Sequence, residues 1–457
     1  MEITKSLAKN IVEARYDDLS REVREATKRS ILDTLGVMLP PTTLDKACIA
    51  LAEMIREAGG KEESTLIGFG GRVPCWMAAF VNGSLTHPLD YDDTKDEPPH
   101  HPTASTFPAA LAIAEKIGGV SGKEFITAIA LGNDLGVRLS SAPRGQLLSD
   151  YPWFPITVFG TFSATAAAGR LLSLSEEELI NALGIAIHRI FGITEAIVAP
   201  GSDIRAIRDG YTNEAGVLCA LMAQRHIRGC RDAVEKLFRI LYRGEYDPRT
   251  LILNLGKQFR GVEASLKAWP ACRESNGYIQ AALEIIKENN IQPTKIEEVV
   301  LTVGKFVRDH LCEPKEVKIS PQSSIDAKFS LFFTVGIALT KKNVQISDFL
   351  PENLKNPAVL DMTKKMKYRL NPSFGPIIPA ELGIKTNDGR VLSKLIETIY
   401  GHPRNPLSKQ DLMAKFKDCA RYAKKVLSPE KAESLIEIIL KLEEVKDISE
   451  ISKVLLK

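Results

Sequence analysis

The chain has 457 residues with 44% hydrophobic and 26% charged side chains, a net charge of +3 and a mean hydropathy near zero, the profile of a globular protein of two or three domains with a sizeable core. No basic stretch interleaved with aromatics offers a nucleic-acid footprint, "KKMKYR" (364–369) being too short, and apolar stretches are broken before the roughly 20 residues that span a bilayer. Seven cysteines stand singly without a CxxC pair, which suits a reducing compartment and offers no zinc site. With an N-terminus, "MEITKSLAKNIVEARYDD", that lacks an apolar signal core, the expectation is a soluble cytoplasmic protein.

Residues 1–260 read as helix after helix, beginning with that amphipathic first stretch. In "LSREVREATKRSILDTLGVML" (19–39) apolar residues recur at helical spacing behind a Ser N-cap, and "DKACIALAEMIREAGG" (45–60) ends on a Gly-Gly stop. "WMAAFVNGSLTHPLD" (76–90) reads as an apolar helix closed by Asp90, and 106–119 and 121–141 follow the same pattern. "GTFSATAAAGRLLSLSEEELINALGIAIH" (160–188) is rich in Ala, Gly and Ser, which predicts a closely packed central helix pair. After about residue 270 the pattern changes. "KIEEVVLTVGKFV" (295–307) alternates and is β-branched, "SSIDAKFSLFFTVGIALTKK" (323–342) is helical, and "AELGIKTNDGRVLSKLIET" (380–398) sets two alternating runs around Asn-Asp-Gly, a hairpin signal. From 406 the chain is helical again. The predicted fold class is mainly α: a large all-helical domain built from both chain ends, 1–268 and 403–457, plus a smaller α+β lobe over 269–402. A cleft between two such lobes is the default place for a ligand.

Chemistry concentrates in "LDYDDTKDEPPHHP" (89–102). Asp92-Asp93-Thr94-Lys95-Asp96 matches DDxxD, the pattern by which helical terpenoid synthases hold magnesium, but the partner motif fails at Val137 and Ser141, and Lys95 would repel a cation. A histidine beside a carboxylate that fixes its tautomer is the usual proton-transfer device, and Pro102 stiffens the loop holding His101. Asp92, Asp93 and Asp96 read as mostly solvated or capping. A plain helix-exit loop is the remaining reading.

The blocks "NGSLTHPLDYDDT…HHPTASTFPAALAIAEKIGGVSGKEFITAIALGNDLGVRL" (82–139), 159–186, "LKAWPACRESNGYIQAAL" (266–283) and "IDAKFSLFFTVGIAL" (325–339) resemble the MmgE/PrpD family, in order along nearly the whole chain. The resemblance implies an all-helical domain from both chain ends, an α+β lid domain, a homodimer, and cofactor-independent action on small polycarboxylates. The family's shared need is proton transfer at carbon next to a carboxylate, with cations neutralising the charge that builds up. It also implies His101 as general acid/base, Asp90 as its orienting or second proton-handling partner, Thr94 as a substrate hydrogen-bond donor, and Lys267 as a partner of substrate carboxylate. His100, which points away from its neighbour, reads as solvated.

Departures from the family pattern are specific. Phe154 stands where a His is common, Arg205 where a Lys is expected, Arg208 where a second His often sits, Cys272 where the decarboxylases have a His, and Phe333 where they have a Tyr. Anion binding is retained while acid/base groups disappear, and the two Phe residues make the pocket less polar. Cys272, with Arg273 beside it to lower its pKa, is a candidate second base opposite His101, the pair an epimerase needs. The other histidines (87, 188, 226, 310, 402) and cysteines read as structural.

The leading expectation is a dehydratase-type lyase, with no metal or cofactor, that abstracts a proton α to a carboxylate of a small hydroxylated di- or tricarboxylate other than 2-methylcitrate. Epimerisation of a small dicarboxylate comes second and decarboxylation third. A carboxylate-binding protein on the same fold is the non-enzyme alternative. Neither nucleic acid nor membrane is expected as a partner.

Overall fold

A computed structural model describes residues 2–145, 151–190, 192–197, 199 and 201–456. The chain divides into two compact units. One runs up to Pro88, over Asp92–Ala264 and from Lys409 onward; the other holds Leu89–Tyr91 and Ser265–Ser408. These borders fall at Ala264 and Lys409 where the hydropathy pattern drew them at 268 and 403.

The first unit is helical, and its caps explain where its helices begin. Ser20, Asp45, Ser121 and Ser428 each accept from the backbone N–H three residues on, opening the helices Arg21–Val37, Lys46–Ala58, Gly122–Ser141 and Pro429–Leu440. Each such cap contributes about 1 kcal/mol. The stretch 160–188, expected to give a closely packed helix pair, spans two helices in contact, Pro155–Leu171 and Glu176–Ala186, the second started by the capping box of Ser175 and Glu178. The helix expected to end at Asp90 is Cys75–Ser84. His87 precedes Pro88, a position that disfavours helical backbone.

Pro155–Leu171 is the centre of this unit. Every residue in it but Arg170 is buried, as befits a helix apolar on all sides. It packs against Pro102–Ile117, Gly122–Ser141 and Ile204–Gln224. Small residues permit that approach: a Cβ on Gly216 would lie 2.7 Å from the Ala164 carbonyl carbon and 2.8 Å from Thr165 N. The C-terminal segment joins through a buried ion pair, Lys415 Nζ to Asp33 Oδ1 at 2.7 Å, and a hydrogen bond from Gly122 N to Val445 O at 2.8 Å. Among the described residues no helix is long and apolar enough to cross a membrane.

The second unit carries a four-stranded sheet in the order Met366–Leu370, Ile296–Val303, Ala380–Thr386, Val391–Ile396. The first pair is parallel and the others antiparallel. The expected hairpin is present: Thr386 N donates to Arg390 O, and Gly389 turns the chain with φ +87°, where only glycine is unstrained. The parallel strand grows out of "KKMKYR", which composition alone marked as a basic run. The helices Arg273–Asn289 and Leu331–Lys341 pack on each other, the first also on the sheet. The second is separate from Ser324–Lys328 because the Ser330 hydroxyl accepts from Phe333 N and caps it.

Candidate active site

In the first unit the site is built on the N-terminus of the helix Pro102–Ile117. Asp93 accepts from Thr103 N with both carboxylate oxygens, at 3.2 and 3.3 Å, which satisfies one of the free N–H groups of that first turn. Burial nevertheless pushes the Asp93 carboxyl up to about 7, helped by the charges of Asp92 and Asp33. The carbonyl of the same residue accepts from His101 Nδ1 at 2.8 Å. A carbonyl oxygen can only accept, so Nδ1 carries the ring proton and Nε2 of neutral His101 is a bare base.

Asp92 lies between two imidazoles. Its Oδ2 is 2.8 Å from His101 Nδ1, and its Oδ1 accepts from His87 Nδ1 at 3.0 Å. The two rings meet edge to face with centroids 4.7 Å apart. Burial would raise the Asp92 carboxyl, but the imidazoles outweigh it and hold the group well below the usual carboxylate range. His87 is driven the other way: burial, then the nearby Arg208 charge, hold it well below the usual histidine range, so it stays neutral. Its Nε2 is buried without a hydrogen-bond partner among the described residues.

Arg208 and Asp209, on the helix Ile204–Gln224, complete the polar set. Arg208 is buried, with Nε donating to Asp209 Oδ2 at 3.2 Å and its guanidinium 4.7 Å from the centre of the Phe154 ring. Burial raises the Asp209 carboxyl against the pull of Arg208 and His101. Phe154 therefore does more than line a pocket: its ring face holds the cation in place. Arg205, one turn away and half-buried, acts on His87 through its charge. Thr94 is buried and its hydroxyl donates to the Lys95 carbonyl at 3.2 Å.

The second unit holds the remaining expected residues. Asp90 has φ +56°, a left-handed conformation that costs most residues energy and that Asp tolerates. Lys267 Nζ donates to its carboxylate at 2.5 Å and its carbonyl at 2.9 Å, with both side chains buried. The Cys272 thiol donates to Glu274 Oε2 at 2.5 Å, and His310 Nδ1 stands 3.5 Å from Glu274 Oε1. Arg273 is buried at the start of the helix Arg273–Asn289, and Phe333 has no exposed surface within the apolar core.

Several expectations need correction. Asp92 and Asp93 are fully buried rather than solvated, one engaged by two histidines and the other by a helix N-terminus. His100, expected in solvent, is also fully buried, and its pKa is lowered to about 3 by burial and the charges of His101 and Lys95. His87, read as structural, pairs with Asp92 beside His101; the sequence signal was its position five residues before Asp92 in a chemistry-rich loop. The lowered thiol pKa expected of Cys272 is reversed, because burial and the charges of Glu274 and Asp90 push it well above the usual range against Lys267. At rest it is a protonated acid. Phe333 serves packing in the core.

Among the described residues two groups have donor atoms within 4.8 Å of one another, close enough to hold an ion: His87, Asp92 and His101, and Cys272, Glu274 and His310. In the first, both carboxylate oxygens already lie at hydrogen-bond distance from imidazole Nδ1 atoms. Lys95, inside the DDxxD string, is ion-paired with Glu263 at 3.1 Å.

The helical unit thus gathers two imidazoles, a buried arginine and buried carboxyl groups, side chains capable of acid/base chemistry. The family models agree on one assignment: residues 5–242 match the MmgE/PrpD N-terminal domain and 269–444 the MmgE/PrpD C-terminal domain, so the chain belongs to the MmgE/PrpD family. Among its relatives is the cis-aconitate decarboxylase of Homo sapiens, 28% identical over 99% of this chain and 94% of the human protein. The Mus musculus enzyme of the same name is 26% identical over 99% and 93%, and that of Aspergillus terreus 23% over 96% and 93%. The family is one of enzymes, and these relatives are lyases by name.

Proposed function

We propose that this chain is a cofactor-independent, dehydratase-type lyase of small hydroxylated di- or tricarboxylates, with His101 as the proton-transfer group. The observation that carries it is the His101 tautomer: with Nδ1 donating to the Asp93 carbonyl, Nε2 is left as a base. Nε2 takes the proton from the carbon next to a carboxylate. The electron pair forms the double bond, and the hydroxyl on the adjacent carbon leaves as water with a proton from an acid. Asp92 steadies the imidazolium that forms. Arg208, clamped by Asp209 and Phe154, supplies positive charge for the substrate carboxylate, with Arg205 beside it on the helix. Thr94 donates to the substrate, and Lys267, ion-paired with Asp90, is the second unit's own candidate cation for a carboxylate. We also propose a homodimer, to be read by analytical ultracentrifugation.

Decarboxylation is the second reading, favoured by what the relatives are called. There a carboxylate leaves as CO₂, its electron pair stays on carbon, and the protonated His101 returns a proton to that carbon. Against it stand Phe154, Cys272 and Phe333 at positions where the resemblance places His, His and Tyr. Proton NMR with a panel of 2- and 3-hydroxylated di- and tricarboxylates plus cis-aconitate separates the two. New olefinic signals from a hydroxy acid, absent with His101→Ala, support the dehydratase. CO₂ release from cis-aconitate alone supports the decarboxylase. Ligand-induced thermal stabilisation without turnover of any panel member would leave a carboxylate-binding protein.

A further inference from the structure

We propose that Glu274 and His310 form a proton relay that connects the buried Cys272 thiol to solvent. The proposal goes beyond the lyase reading and concerns residues of the second unit alone.

Three observations carry it. Cys272 is 5% exposed, while the His310 side chain is 41% exposed, so the two ends of the series face different environments. Glu274 lies between them with its two oxygens divided: Oε2 accepts from Sγ at 2.5 Å, and Oε1 faces His310 Nδ1 at 3.5 Å, a gap that a small turn of an exposed ring closes. Finally, His310 is held at the right place by neighbours that leave Nδ1 toward Glu274. Its ring meets Phe306 and Phe329 edge to face at 5.4 and 5.1 Å, and its carbonyl accepts from Lys318 Nζ at 2.8 Å. The charged groups acting on the thiol are Glu274, Asp90, Lys267 and Lys318. Burial would raise the Glu274 carboxyl, but its hydrogen bonds and the His310 charge keep it lowered, so it rests as the acceptor of both neighbours.

The transfer balances without any further reagent. When the thiol gives its proton away, the S–H bond breaks and the electron pair stays on Sγ. Glu274 takes a proton at Oε1 from the His310 imidazolium, turns about its terminal torsion, which is soft in Glu, and delivers the proton to sulfur. His310 regains its proton from water. The same three donor atoms lie within 4.8 Å of one another and suit a metal ion as well, so the test below includes zinc.

The test needs no substrate, so its failure and that of the lyase reading are told apart. The infrared S–H band of Cys272, assigned by its loss in Cys272→Ser, is followed after transfer into D₂O in the intact protein, in Glu274→Gln and in His310→Gln. The bands of the other buried thiols serve as internal controls for opening of the fold. Removing a positioned acid/base group slows the Cys272 exchange by on the order of a hundredfold in either variant, with the control bands unmoved. Equal exchange rates in all three proteins would overturn the relay. So would stoichiometric uptake of added zinc that Cys272→Ser abolishes, since the thiol would then be a ligand. His310→Gln alters a half-exposed side chain and keeps the question open to test should Glu274→Gln fail to fold.

Discussion

At the scale of single residues, the account rests on which nitrogen of each imidazole carries the proton. His101 and His87 both present Nδ1 to groups that accept, and both leave Nε2 bare. Only His101 belongs to the expected set; His87 was hidden because a lone His after a helix looks the same in sequence whether it faces an aspartate or water. His101→Asn keeps a polar side chain and the helix start, and is expected to lower kcat by about 100-fold or more with the fold intact by circular dichroism. Undiminished turnover would move the base elsewhere. His100 offers a separate check. Its folded pKa is depressed to about 3, so it contributes stability that is present above its unfolded pKa of about 6.5 and is lost as pH falls through that window. At pH 4.5 the loss is about 2–3 kcal/mol, and His100→Gln is expected to remove that part of the acid destabilisation in urea titrations. Parallel losses in the two proteins would show that His100 is not the group responsible.

At the scale of elements, most helices and the hairpin were legible, since capping residues and turn chemistry act locally: Ser20, Ser121 and Asn-Asp-Gly stand where the chain starts or turns. What was not legible came from non-local packing. Nothing local says that "KKMKYR" pairs in parallel with Ile296–Val303, or that Asp93 is buried under the helix it caps. The Asp93 carboxyl gives a prediction of opposite sign to His100. Its folded pKa of about 7 lies above the unfolded value, so the folded state keeps a proton that the unfolded chain has lost, and stability falls as pH rises from about 4 to about 7. Asp93→Asn still offers an oxygen to Thr103 N, and its stability relative to the parent should improve by a few kcal/mol between pH 4 and pH 8. A constant difference across that range would contradict the assignment. In the central packing, Gly216→Ala drives a Cβ into the Ala164 backbone and should cost about 1–3 kcal/mol by chemical denaturation. A cost near zero would mean the two helices move apart freely.

At the scale of the whole molecule, both ends of the chain build one unit and its middle builds the other, an order legible from hydropathy once the β-branched alternation after residue 270 is seen. The transfer of Leu89–Tyr91 to the second unit was not legible, because three residues are too short to carry a pattern. It matters chemically, since it places Asp90 with Lys267 while Asp92 stays with His87 and His101. Turnover is expected to be insensitive to EDTA, since the carboxylate oxygens of Asp92 and Glu274 already serve histidine and thiol partners. Activity lost to chelation and restored by one metal would instead assign an ion to one of these groups. The measurement that tests the central claim most directly is deuterium incorporation in D₂O, by proton NMR, at the carbon next to a carboxylate of a turned-over or reversibly bound substrate. The account predicts wash-in with the intact protein and none with His101→Asn. Wash-in that persists without the His101 imidazole would contradict it.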